Sequence, residues 1–210
     1  MKTLLLLALA AGALSAQPPQ LPAGIAVKRD VEYVPGGSQR HMLDVYYPEK
    51  ADKPVPLVVW IHGGAWKEGS KNGTPALPLL GRGFAVASIT YRFSQDAVFP
   101  AQIEDCKSAI RWLRKHSAEL HIEPAKIGVW GASAGGHLVA LLGVSGDVTA
   151  WDKGENLDQS SRVQAVCDWF GPADLLTFET QKENNLTRRP ASSPPADEAG
   201  TPEARLIGGP

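Results

Sequence analysis

The chain has 210 residues, with 21 Lys+Arg against 22 Asp+Glu and a formal net charge of −1, so it lacks the net basic field that a nucleic-acid-binding domain usually shows. Hydrophobic residues make up 43% and charged residues 20%, ordinary globular usage that excludes a largely disordered chain. Two cysteines, Cys106 and Cys167, are too few for a disulfide scaffold and lack zinc-cluster spacing; free buried thiols are the expectation.

At the N-terminus, Lys2 precedes the apolar run Leu4 to Leu14, followed by Ser15-Ala16-Gln17 and Pro18-Pro19. This reads as a signal peptide over residues 1–16, with cleavage after Ala16 or Ala13, leaving 17–210 as one domain. The run is shorter than the roughly 20 residues that cross a hydrocarbon core, which weighs against a stable membrane span. A secreted or periplasmic location is expected.

Val31 to Val34 and Met42 to Tyr47 are β-prone runs separated by Pro35-Gly36-Gly37-Ser38, the pattern of an antiparallel hairpin. Leu57 to Ile61 and Phe84 to Ile89 are continuous apolar runs suited to strands buried on both faces of a parallel sheet. Between them lies a Gly- and Pro-rich loop with a short helical candidate, Pro75 to Arg82. From Pro100 to His116, Ile103, Cys106, Ile110 and Leu113 recur at helical spacing, while Glu104, Lys107, Arg111 and Lys115 fall on other faces. Ile127 to Trp130 predicts a strand, Ala134 to Leu142 a helix of small apolar residues, and Val163 to Phe170 another strand. From Glu179 to Glu203 the composition is polar and Pro-rich without periodicity. Strands alternating with helices predict an α/β fold, a three-layer sandwich around a mostly parallel sheet.

Two motifs stand at strand ends. Gly131-Ala132-Ser133-Ala134-Gly135 fits GxSxG between a strand and a helix, the pattern of a nucleophile elbow. Its glycines suit a turn too tight for side chains on either side, and the helix start supplies free N–H groups and a positive dipole end. His62-Gly63-Gly64-Ala65-Trp66 follows the strand Leu57 to Ile61, and its adjacent glycines let main-chain N–H groups approach a developing oxyanion. Carboxyl ends of strands are where open α/β sheets bind ligands. No cluster has metal-ligand spacing and no Walker-type phosphate loop appears, so no metal or cofactor is expected.

These runs, with Tyr91-Arg92 after the next strand, Asp105 and Arg111-Trp112-Leu113 on the long helix, and Gly136 after the GxSxG, resemble the secreted esterase/lipase branch of the α/β-hydrolases over Val31 to Asp174. That branch includes the HGG-type esterases and the feruloyl and acetyl-xylan esterase-like domains. The resemblance implies a serine carboxylic-ester hydrolase acting through an acyl-enzyme on small or carbohydrate-linked acyl esters. It implies Ser133 as nucleophile and Gly64, Ala65 and the N–H of Ala134 as oxyanion hole, with Gly63 as the substitute donor. His62 braces the glycine loop in such motifs, Trp66 packs beneath or beside the site, and Gly131 and Gly135 flank the serine.

A serine hydroxyl needs an imidazole to take its proton and a carboxylate to orient that imidazole. In α/β-hydrolases these follow the serine in chain order. Of the five histidines, only His137 follows Ser133, one helical turn behind it rather than across a substrate; a surface or capping role suits it better. His41, His116 and His121 do not qualify by position. Asp168 and Asp174 lie on the expected edge, though Asp174 reads more simply as a turn or cap residue. The economical expectation is a C-terminally truncated chain, inactive by itself. Alternatives are an arylformamidase, a prolyl-oligopeptidase-like serine hydrolase, or a non-catalytic binding module on a hydrolase fold.

Overall fold

The computed structural model describes residues 21–175 and 200–209; the expected signal peptide and most of the polar 179–203 stretch lie outside them. Six strands form one sheet: β1 (Ile25–Glu32), β2 (Met42–Pro48), β3 (Val55–Ile61), β4 (Ala85–Ile89), β5 (Ile122–Ala132) and β6 (Ala165–Trp169). Their spatial order is β1-β2-β4-β3-β5-β6. β1 pairs antiparallel with β2 and β2 with β4, whereas the β4, β3, β5, β6 series is parallel. Helices α1 (Ala101–Lys115) and α2 (Ala134–Val144) follow β4 and β5, and α3 (Pro202–Leu206) is a single short turn capped by Thr201.

The centre of the sheet is apolar on both sides, as continuous hydrophobic strands require. Val59, Ile61, Ala87, Ile89, Ile127 and Val129 pack with Ile103, Ile110 and Leu113 of α1 and Leu138 and Leu142 of α2. On the opposite face Tyr46, Trp60 and Val86 pack against Leu80 of a 3₁₀ turn, Leu77–Arg82. The third layer is therefore thin among the described residues: the helical candidate Pro75 to Arg82 is a 3₁₀ segment, with Pro78 in its first turn. No helix among the described residues is long and apolar enough to cross a membrane.

Several expectations need correction. β1 starts at Ile25, six residues before the expected run, because Ile25 to Lys28 pair with Val45 to Pro48 and the register shifts only between Lys28 and Val31. β5 starts at Ile122, since Val55 pairs with Ile122 and Leu57 already with Ile127, looping residues 123–126 out of register. On α1, Lys107 and Arg111 fall off the apolar positions yet are at most 1% exposed. Lys107 Nζ donates to the carbonyls of Ser145 (3.1 Å) and Val148 (2.8 Å) and pairs with Asp152 at 3.1 Å. Arg111 Nη1 binds the same carboxylate at 2.9 Å. Buried charges persist when paired and hydrogen-bonded, and this pair ties the segment after α2 back to α1. Both thiols are free, Cys106 buried as expected but Cys167 exposed on β6, whose other flank has no strand partner among the described residues.

Candidate active site

β3 and β5 lie side by side with Ile61 opposite Gly131, so the segments leaving their carboxyl ends emerge together. The β5 end turns sharply into α2 at Ser133, whose φ of 55° and ψ of −122° place a non-glycine residue in a sparsely populated region. Such a backbone costs about 1–3 kcal/mol and persists where its surroundings over-determine it. Here they do: Ser133 N–H donates to Trp169 O on β6 (2.9 Å), and Ser133 O accepts from His137 N–H (3.0 Å). Gly135 sits so close beneath β3 that a Cβ would run into the carbonyl oxygens of Ile61 and His62.

The loop after β3 comes directly alongside. A Cβ on Gly63 would lie 2.7 Å from Ala132 O and 3.3 Å from the Ser133 Cβ, which brings the HGG segment and the serine together at one edge. Gly64 (φ 110°), Ala65 (φ 52°) and Trp66 (φ 55°) then run with positive φ, and Lys67 and Glu68 N–H both return to Gly64 O. Among the described residues, neither the N–H of Gly64 nor that of Ala65 has an acceptor, and Ala134, the first residue of α2, likewise leaves its N–H unpaired. Three bare amides thus lie on the two segments that meet at Ser133.

The loop is held from behind. His62 Nδ1 contacts Gly63 O at 2.7 Å, so its proton is on Nδ1, and the ring stacks on Tyr91 with centroids 4.6 Å apart. Tyr91 O–H donates to His62 O at 3.0 Å. Burial lowers the His62 pKa below the ordinary histidine value, favouring the neutral ring. Next to Tyr91, Arg92 grips Asp105 of α1 through Nε (2.9 Å) and Nη2 (2.7 Å), and its main-chain N–H adds a third bond at 2.8 Å. His41 Nδ1 accepts from Ser38 N–H, which leaves Nε2 to donate to Asp105 at 3.2 Å. Burial alone would push the Asp105 carboxyl up, but the hydrogen bonds from His41 and Arg92 outweigh it and hold the group below the usual carboxylate range. Position in the sequence could not reveal His41 as part of this network, because its partner is 64 residues away.

Trp66 is 2% exposed and its Nε1–H donates at 3.3 Å to Nδ1 of the half-buried His137, so His137 is a partner of the HGG loop rather than a capping residue. Asp168 lies opposite Gly131 on β6 and its Oδ1 accepts from Gly171 N–H at 2.9 Å. All five histidines fall among the described residues, and none bonds the Ser133 hydroxyl.

Comparison with known proteins bears on the family and the fold. Esterase LipQ of Mycobacterium tuberculosis is 35% identical over 161 residues, 73% of this chain and 37% of LipQ. Among solved structures, a truncated carbohydrate esterase from gut microbiota superposes with a TM-score of 0.74 at 35% identity, covering 87% of this chain and 65% of that one. A bifunctional GH43-CE protein of Bacteroides eggerthii gives 0.70 at 37% identity, covering 87% and 26%. The chain thus spans little more than a third of the curated relative and about two thirds of the first structure. With residues 43–209 matching the BD-FAE model and a mostly parallel sheet whose elbow and HGG loop share one edge, the chain belongs to the BD-FAE family, a domain of α/β-hydrolase type.

Proposed function

We propose that this chain forms the nucleophile half of a serine carboxylic-ester hydrolase. The observation that carries the reading is the strained Ser133, with the HGG loop so close that a Cβ added to Gly63 would lie 3.3 Å from the Ser133 Cβ, and the unpaired N–H groups of Gly64, Ala65 and Ala134 on that edge. The Ser133 hydroxyl attacks the ester carbonyl, the tetrahedral oxyanion takes hydrogen bonds from those amides, the alcohol departs, and water releases the acyl group. Each such donor is worth about 3 kcal/mol in the transition state. Gly131 and Gly135 make room for the elbow, and His62, Gly63 and Trp66 shape the loop.

The substrates are small or carbohydrate-linked acyl esters, supported by the carbohydrate esterases among the structural neighbours. None of the five histidines of this sequence bonds the Ser133 hydroxyl, so none of them is assigned as the imidazole base that takes its proton. Residues 1–16 direct export. Fluorophosphonate labelling of the full-length protein with peptide mapping tests the reading: the adduct is expected on Ser133 and lost in Ser133→Ala, and labelling that survives the substitution places the nucleophile elsewhere. The 210-residue chain by itself is expected to turn over p-nitrophenyl acetate at background. A non-catalytic module is the second reading, favoured by the same missing imidazole; stoichiometric labelling of Ser133 contradicts it.

A further inference from the structure

One side-chain hydrogen bond joins the HGG loop to the helix behind Ser133. Trp66 Nε1–H points at His137 Nδ1 (3.3 Å), with the two rings perpendicular and their centroids 5.3 Å apart. A buried indole N–H requires an acceptor, and among the described residues that imidazole nitrogen is the one it has. The two ends of the bond are attached to the proposed oxyanion donors. Trp66 follows Gly64 and Ala65 directly, and His137 lies one turn along α2 from Ala134, its own N–H bound to Ser133 O. With Ala65 and Trp66 both at positive φ, the loop is strained and needs holding from outside. The loop is also tied by a main-chain bond from Ser94 N–H to Trp66 O (2.8 Å), by Gln95 Nε2 donating to Lys67 O (2.8 Å), by His62 Nδ1 on Gly63 O (2.7 Å) and by the two turn bonds to Gly64 O.

We propose that His137 is a positioning residue: its neutral imidazole, through Trp66, holds the Gly64 and Ala65 N–H groups against Ser133, and protonation of Nδ1 lets them go. The inference rests on the ester-hydrolase reading for its catalytic meaning. Nδ1 accepts only while it is bare, with the ring proton on Nε2; in the imidazolium both nitrogens donate and the indole N–H faces another N–H. Burial favours the neutral ring, while the Asp168 carboxylate facing it from β6 pulls the other way. No other residue of α2 is charged and Gly171, Pro172 and Ala173 supply no charge, while the HGG loop contributes the uncharged Trp66 at the ring and, further along, His62, a second titratable imidazole that the His137 variants leave in place and so separate from His137. A cavity of about 230 Å³ bounded by His137, Leu141, Val144, Asp168 and Pro172 lets the ring exchange its proton with solvent.

Two-dimensional ¹H–¹⁵N spectra of the 210-residue chain between pH 8 and pH 5 test this. The Trp66 indole is assigned by its loss in Trp66→Phe, and the Gly64 and Ala65 amides are followed with it. All three are expected to titrate with one midpoint below about 6.5, the indole proton exchanging with solvent about tenfold faster on the acid side. In His137→Gln, which keeps an acceptor that does not titrate, the three signals stay at their neutral positions; in His137→Leu they sit at the acid positions throughout. An indole signal flat across that range, or one that moves while the Gly64 and Ala65 amides do not, overturns the proposal. A Ser133 adduct without the coupled titration overturns this inference alone, and coupled titration without any adduct overturns the hydrolase reading alone.

Discussion

β3 and β6 flank the strand that carries Ser133, one on each side, yet they live in different surroundings. Every residue of β3 is buried or half-buried, and it lies between β4 and β5 with packing on both faces. Every residue of β6 is exposed, and Trp169 and Phe170 at its end are 45% and 77% accessible. Both read in the sequence as short apolar strands. What separates them is neighbours, not composition. The consequence for the site is a division of labour: the HGG side is fixed by the sheet core, the Tyr91–His62 stack and the Asp105 network, while the β6 side touches the elbow through Ser133 N–H, Asp168 and Gly171.

That contrast can be broken at its strongest point first. Asp105→Ala leaves the Arg92 guanidinium and His41 without their shared carboxylate, and removing one partner of a buried pair costs about 3–5 kcal/mol. Urea denaturation is expected to show a loss of that order, and a loss below about 1 kcal/mol would mean that the network does not hold the loop side. A matched pair sharpens the comparison: Ile61→Ala, at 0% exposure, is expected to cost about 2–5 kcal/mol, and Val166→Ala, at 43%, under about 1 kcal/mol. Equal costs would erase the distinction between the strands.

Acid should act on the HGG side in two stages, with His137 of α2 joining the first. His62 and His137 have folded pKa values depressed by burial, so the unfolded chain takes up their protons first. Their stabilisation is complete above about pH 6.5 and declines as pH falls through the lowered folded values. Asp105, also depressed, contributes fully above about pH 4 and loses its share only below that, as pH falls through its folded value. Stability measured against pH is expected to decline in those two stages, and a curve flat from pH 7 to pH 5 would contradict the histidine part. The smallest effect belongs to β6: Phe170→Ser should change stability by less than about 0.5 kcal/mol while lowering self-association in sedimentation, because it removes exposed apolar surface and no packing.

How much of this could be read from the amino acids depended on how far each signal reaches. The elbow and the HGG loop are local patterns at strand ends, and the strands β3 and β4 announce themselves by continuous apolar runs. Lys107 and Arg111 look solvated because helical periodicity assigns them to a polar side; the Asp152 that buries them lies 41 residues from Arg111. His137 presents no pattern at all, since its partner Trp66 is 71 residues away and the bond exists only once β3 and β5 are adjacent. Cys167 follows an apolar run that predicts burial, and it is exposed because a strand is buried by what packs on it.

The central claim is that bare amides at the end of β3 face the Ser133 hydroxyl closely enough to share an oxyanion. A crystal structure of the full-length protein after reaction with a phosphonate ester tests it most directly. The account predicts phosphorus bonded to Ser133 Oγ and a phosphonyl oxygen within about 2.7–3.1 Å of at least two of the Gly64, Ala65 and Ala134 nitrogens. An adduct whose oxygen turns away from all three would contradict it.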